Sequence, residues 1–122
     1  MSVYQVELSG IGKADALRFQ KELGEENSSF EVEPLSGERH GDLGVGFVTV
    51  VLTLAALKVI GMYLLRKHSS DEWTQTVVKI ENGVRTETTI TYKGIKSEPP
   101  EKTVVDAIGE ALKVDPSKLP VD

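Results

Sequence analysis

Histidine is the side chain best suited to proton transfer near neutral pH, and this chain has two, His40 and His68. Neither has a second ligand at a metal-binding interval such as His-x-x-x-His. A catalytic imidazole also needs an orienting partner, and the neighbouring sequence supplies none. Both histidines are expected in exposed loops at the ends of a long apolar segment. Glu22, Glu25 and Glu26 form an acidic cluster, with Glu31 and Glu33 close behind. Paired carboxylates can exchange protons, but a run beside Gly24 in a polar turn reads as solvated surface, or as an acidic docking patch for a basic partner. Ser9, Ser28 and Ser29 lack the strand-to-helix elbow that exposes a nucleophilic serine.

Gly10-Ile11-Gly12-Lys13 falls between a strand pattern and a helix pattern, where phosphates often bind. A P-loop needs a glycine five residues before the Gly-Lys pair and a serine or threonine after it. Glu7 and Ala14 stand there, so the segment reads as a tight turn. Lys58 is the one charge inside the apolar segment. Its stem is expected to lie on apolar surface while the amine reaches water; buried, it would need a carboxylate partner. No catalytic residue, metal site or cofactor follows from these residues, and a small-molecule ligand is not expected.

The elements that must position these residues come from 122 residues with a net charge of −5, a length that suits one domain, with a tail over 114–122 that reads as a packed extension or a loosely packed, frayed one. An acidic chain is a poor nucleic-acid binder, because that role needs cations to displace counterions. The absence of cysteine fits a reducing compartment, and the first residues lack the basic and apolar pattern of a secretory signal. A cytoplasmic protein is expected, with an inner-membrane location as the alternative. Residues 1–42 carry nine acids and four bases, and residues 71–122 ten acids and seven bases. Between them, residues 43–70 hold only Lys58, Arg66 and Lys67 as formal charges.

Alternation over Ser2–Leu8 predicts a strand, broken by Gly10 and Gly12. Ala14, Ala16, Leu17, Phe19 and Leu23 predict a helix over Lys13–Leu23, ended by Gly24. Phe30–Leu35 predicts a second short strand at an edge, since Pro34 cannot complete a ladder. Trp73–Glu81 and Val84–Tyr92 flank Asn82-Gly83, the pair that suits a two-residue type I′ turn. That loop fixes the pairing of Trp73 with Tyr92, Gln75 with Ile90, Val77 with Thr88 and Lys79 with Thr86. It also puts Trp73, Val77, Ile90 and Tyr92 on one buried face. Glu101–Lys113 predicts a helix with Val104, Val105, Ile108, Ala111 and Leu112 as its apolar stripe.

Leu43–Leu65 is apolar except for Lys58 and predicts a single long helix, about 34 Å at 1.5 Å per residue. Asp42 would cap its start, and Arg66, Lys67 and His68 suit its negative end. Such a helix is buried either in protein or in lipid. Its length matches a bilayer, and a central lysine costs about 2.5–3.5 kcal/mol on insertion, an amount the surrounding apolar residues offset. Against spanning, the two flanking pieces would each be marginal alone. Gly46, Thr49, Thr53, Ala56 and Ile60 recur at three- and four-residue intervals and would make a seam of mostly small residues. That seam would meet a second copy or a partner, or else pack on another helix of the same chain. Val48, Val51, Leu52, Val59 and Leu65 would face the sheet.

Several features stand in a distinctive order. The Ala16-Leu17-Arg18-Phe19 helix is followed by the Gly41-Asp42-Leu43-Gly44 turn, by a long apolar segment ending Leu64-Leu65-Arg66-Lys67, and by the Asn-Gly hairpin. Over about residues 3–93 this order resembles the effector-associated constant component family of bacterial conflict systems. The resemblance implies a small accessory module beside effector enzymes, an adaptor or assembly platform, with no catalytic residues to carry over. Lys58 and a helix end poorer in arginine depart from that pattern, and the last helix adds to it.

The expectation is therefore one α+β domain of β-α-β-α-β-β-α order. Its small mixed or antiparallel sheet is covered by helices, one of them long and apolar over about 43–67. The expected function is non-catalytic protein binding or self-association through the Gly46–Ile60 seam. The alternative is a membrane-inserting component that uses 43–65.

Overall fold

Valine, threonine and phenylalanine crowd the first half of the apolar segment, and alanine, leucine and methionine the second. β-Branched and aromatic residues fit a pleated surface, while straight-chain residues lose little freedom in a helix. The chain obeys that division. In a computed structural model describing residues 4–24, 27–32 and 45–120, the segment is a strand followed by a helix, not one long helix. Strand Val45–Val51 ends at Leu52. The Thr53 hydroxyl then accepts the Ala56 amide at 3.0 Å and caps helix Leu54–His68.

The elements in order are β1 (Tyr4–Gly12), α1 (Lys13–Leu23), β2 (Ser28–Val32), β3 (Val45–Val51), α2 (Leu54–His68), β4 (Glu72–Glu81), β5 (Val84–Lys93) and α3 (Pro100–Leu112). The fold is α+β, with one strand more than expected. α2 has 15 residues, about 22 Å at 1.5 Å per residue. No helix among the described residues is long and apolar enough to cross a membrane, and the single long helix expected over about 43–67, on which the spanning alternative drew, is not formed. Asp42, the expected cap, lies outside the described residues, as do Pro34, Leu35 and His40.

The sheet is fully antiparallel, in the order β2-β3-β1-β4-β5. Gly10 does not end β1. It takes φ +70° and makes a bulge between Ser9 and Ile11, beyond which pairing with β3 resumes. The hairpin forms in the expected register, with Asn82 and Gly83 both at positive φ.

Alternate residues bury one face only: Val6 and Leu8 of β1, Val48 and Val50 of β3, Trp73 and Val77 of β4, Ile90 and Tyr92 of β5. The three helices lie side by side on that face. α2 sits in the middle, flanked by α1 through Phe19 and Tyr63, whose ring centroids are 5.7 Å apart. On its other side is α3, through Gly61 and Val104; a Cβ on Gly61 would stand 2.6 Å from Val104 Cγ1. Neighbours on both sides and a sheet beneath explain why α2 is apolar nearly all round. The strip left to solvent carries Lys58, Met62 and Arg66 at four-residue intervals. After α3 the chain makes a 3-10 turn (Pro116–Lys118), and Pro120 accepts the Leu54 amide at 2.7 Å.

Candidate functional site

The tight hairpin decides which backbone groups remain free. In a two-residue loop the flanking pair, Glu81 and Val84, exchanges hydrogen bonds, and bonded and non-bonded pairs then alternate. The amides and carbonyls of Val84, Thr86, Thr88, Ile90 and Tyr92 therefore point to β4. Those of Arg85, Glu87, Thr89, Thr91 and Lys93 point outward, since β5 is the last strand of the sheet. Natural edges are blunted by shortness, charged side chains, a proline, a bulge or a covering element. β2, at the opposite edge, has five residues. β5 has ten, with no proline and no break in register, and charged side chains only at Arg85, Glu87 and Lys93.

α3 runs antiparallel to β5 and forms the wall of a groove along that edge. At one end, Thr91, Lys93 and Ile95 face Thr103, Asp106, Ala107 and Glu110 around a hollow of about 210 Å³. At the other, Val84, Thr86 and Thr88 face Ala111, Leu112 and Lys113 around a hollow of about 510 Å³. Thr88 Oγ1 donates to the Ala111 carbonyl at 3.1 Å and Lys79 Nζ to the Leu112 carbonyl at 2.7 Å, which fixes the helix against the hairpin. The helix wall carries small side chains, Thr103, Ala107 and Ala111, at four-residue intervals, beside the charged Asp106, Glu110 and Lys113. Val84 and Ile95, 64 % and 47 % exposed, stand at the two ends.

The groove's charge is mostly acidic. Lys102 bridges Glu98 and Asp106, both at 3.1 Å, and those hydrogen bonds hold its ammonium pKa above the ordinary lysine range. Glu87 and Glu110 have no ion-pair partner among the described residues. Lys93 stands 3.8 Å from Glu72, with both side chains exposed.

Among the described residues nothing covers the side of the sheet away from the helices. Phe47, Thr49, Val51, Val78 and Ile80 are half-buried there among their own neighbours, around an ion pair between Glu7 and Arg85. Thr74, Thr76, Thr89 and Thr91 complete that surface and are exposed.

The residues expected to form a helical seam are dispersed. Gly46 and Thr49 are on β3, Thr53 caps α2, and Ala56 and Ile60 are 0 % exposed inside the core. They share no face of one helix. The periodicity that joined them spans a strand–helix boundary, where a helical interval has no meaning. Of the acidic patch, Glu22 is exposed on α1, while Glu25 and Glu26 lie outside the described residues. Lys58 is exposed, in line with the solvent-reaching reading.

His68 is not in an exposed loop. It closes α2, half-buried, and stacks on Trp73 with centroids 4.5 Å apart. Its Nε2–H donates to Gln75 Oε1 at 2.9 Å, an oxygen oriented because Gln75 Nε2 donates to the Thr76 carbonyl. Trp73 stacks in turn on Tyr92 at 5.0 Å, so the ring serves as a packing piece at the end of the sheet. Ser9 and Ser29 are exposed, and Ser28 is buried with its hydroxyl unpartnered among the described residues. Also among the described residues, no group of three or more His, Asp or Glu side chains converges as metal ligands.

Sequence reasoning missed the groove. The Thr103, Ala107 and Ala111 interval is visible in the sequence, but strand order is not, and only strand order makes β5 an edge. Comparison with protein-family models, with curated proteins and with solved structures finds no match to this chain.

Proposed function

We propose that this chain is a non-catalytic interaction module that binds a protein partner by adding the partner's extended strand to β5. The observation that carries this reading is the ten-residue edge, unbulged and, among the described residues, unpaired, lying beside a groove walled by α3. Backbone bonds to the outward groups of Arg85, Glu87, Thr89, Thr91 and Lys93 would supply affinity. Alternate side chains of the incoming strand would enter the groove, against Thr103, Ala107 and Ala111, and supply specificity. The role implied by the family resemblance, an adaptor beside effector enzymes of a bacterial conflict system, belongs to the same proposal.

The test is Thr89→Pro. Its amide points away from β4, so proline removes no bond of the chain's own ladder while blocking an incoming strand. Tagged wild-type protein, Thr89→Pro and a bare-face control, Val78→Lys, are used to capture partners from the cells of origin. Partners held by wild type and Val78→Lys but lost by Thr89→Pro support strand addition. Partners retained by a folded Thr89→Pro protein rule it out.

A further inference from the structure

We infer that the strand received by β5 is the β5 of a second copy, paired antiparallel about a two-fold axis beside Ile90. This inference rests on the strand-addition reading and names its partner. A two-fold axis perpendicular to the sheet keeps both sets of helices on one side and joins two five-stranded sheets into one. In any such pairing, residues opposite each other share a face.

The charges of β5 then choose the register. On the bare face the strand carries Arg85, Glu87 and Lys93 among threonines. A register centred on Glu87 sets that carboxylate against itself. One centred on Thr89 sets Arg85 against Lys93, and one centred on Thr88 leaves every charge without an opposite. One centred on Thr86 opposes Arg85 to Glu87 but pairs only the turn end of the strand. The register centred on Ile90 pairs residues 87–93 and sets Glu87 against the second copy's Lys93 at both ends. Between these pairs Thr89 meets the second copy's Thr91, and both pairs use outward-pointing backbone groups. Opposite charges and threonine pairs across strands are favourable, and like charges are not.

α3 lies along β5, so the two-fold axis brings two α3 helices alongside each other. On that side α3 carries the small Ala107 and Ala111, which let helices approach closely, and the exposed Asp106 and Glu110, whose like charges oppose the approach, while Thr103 is buried. Glu87 has no ion-pair partner within the described chain, and the second copy's Lys93 would supply it.

The experiment is light scattering behind a sizing column on the full chain over a range of concentrations, with circular dichroism to confirm folding. Wild type is expected at twice the chain mass, dissociating on dilution. Glu87→Lys places like charges at both ends and should weaken the dimer about tenfold or more. The swap Glu87→Lys with Lys93→Glu should restore it, and Thr89→Pro should give a monomer. A wild-type monomer at every concentration overturns the second copy as occupant. So does a dimer that Glu87→Lys leaves unchanged, or one that the charge swap fails to restore. Strand addition itself fails separately, if Thr89→Pro keeps its captured partners.

Discussion

Gly61 and Val104 carry the contact between the two helices that close the core, and the contact is set by the absence of a methyl group. In an open helix Gly→Ala gains about 1 kcal/mol. Here the new Cβ would stand 2.6 Å from Val104 Cγ1, on a stiff β-branched side chain that is 0 % exposed. Overpacking of this kind costs about 1–3 kcal/mol, so Gly61→Ala should lower stability in urea. Adding Val104→Ala should recover part of the loss, making the pair strongly non-additive; two additive losses would mean the helices do not meet there.

Tyr63 offers a test by pH. Burial raises its phenol pKa above the ordinary 10.0, the Asp15 carboxylate adds to the rise, and Arg66 opposes it. The unfolded chain loses this proton first, so the stability it contributes is complete below pH 10 and is lost as pH rises through the folded value. Melting temperature should therefore fall more steeply above pH 10 in wild type than in Tyr63→Phe. Parallel curves would remove the phenol from the account.

At the scale of elements, the junction at Leu52-Thr53 matters most. Thr53 ends the strand segment and starts the helix with one hydroxyl. Thr53→Ala should cost about 1 kcal/mol, about 4 °C in melting temperature for a chain of this size, and Thr53→Ser should keep most of it. Equal losses in both variants would assign the effect to packing of the methyl group.

The same junction shows what a sequence can and cannot say about an element. The hairpin was legible down to its register, because Asn82-Gly83 admits one geometry and the alternation on each side agrees with it. α1 was legible because Gly24 ends it and the glycines before it begin it. The run from Leu43 to Leu65 was not. An apolar run with almost no polar residues has no period to distinguish strand from helix, and its β-branched first half was the one signal that pointed to a strand. The Gly46–Ile60 seam failed with the helix it was drawn on. Lys58 was legible for a different reason: a lone amine in an apolar helix has few places to go, and a four-residue solvent strip is the cheapest.

At the scale of the whole molecule, the three helices and five strands of the described residues leave two surfaces with unmet capacity, the bare sheet face and the β5 edge. The bare face satisfies itself in part, since Glu7 and Arg85 pair across strands and the apolar residues around them are half-buried. The edge does not, because nothing in the described chain bonds the outward groups of β5. Which strand stands at an edge depends on pairings between distant segments, so the candidate site had no local signature to find.

Residue-resolved amide hydrogen exchange along β5 tests the central claim most directly, comparing the free monomer with the assembled protein. In the monomer Thr86, Thr88, Ile90 and Tyr92 should exchange slowly, because they bond to β4, while Glu87, Thr89, Thr91 and Lys93 exchange fast. On assembly the fast set should become slow. If those four amides stay fast in an assembly that protects some other surface, β5 is not where this protein meets its partner.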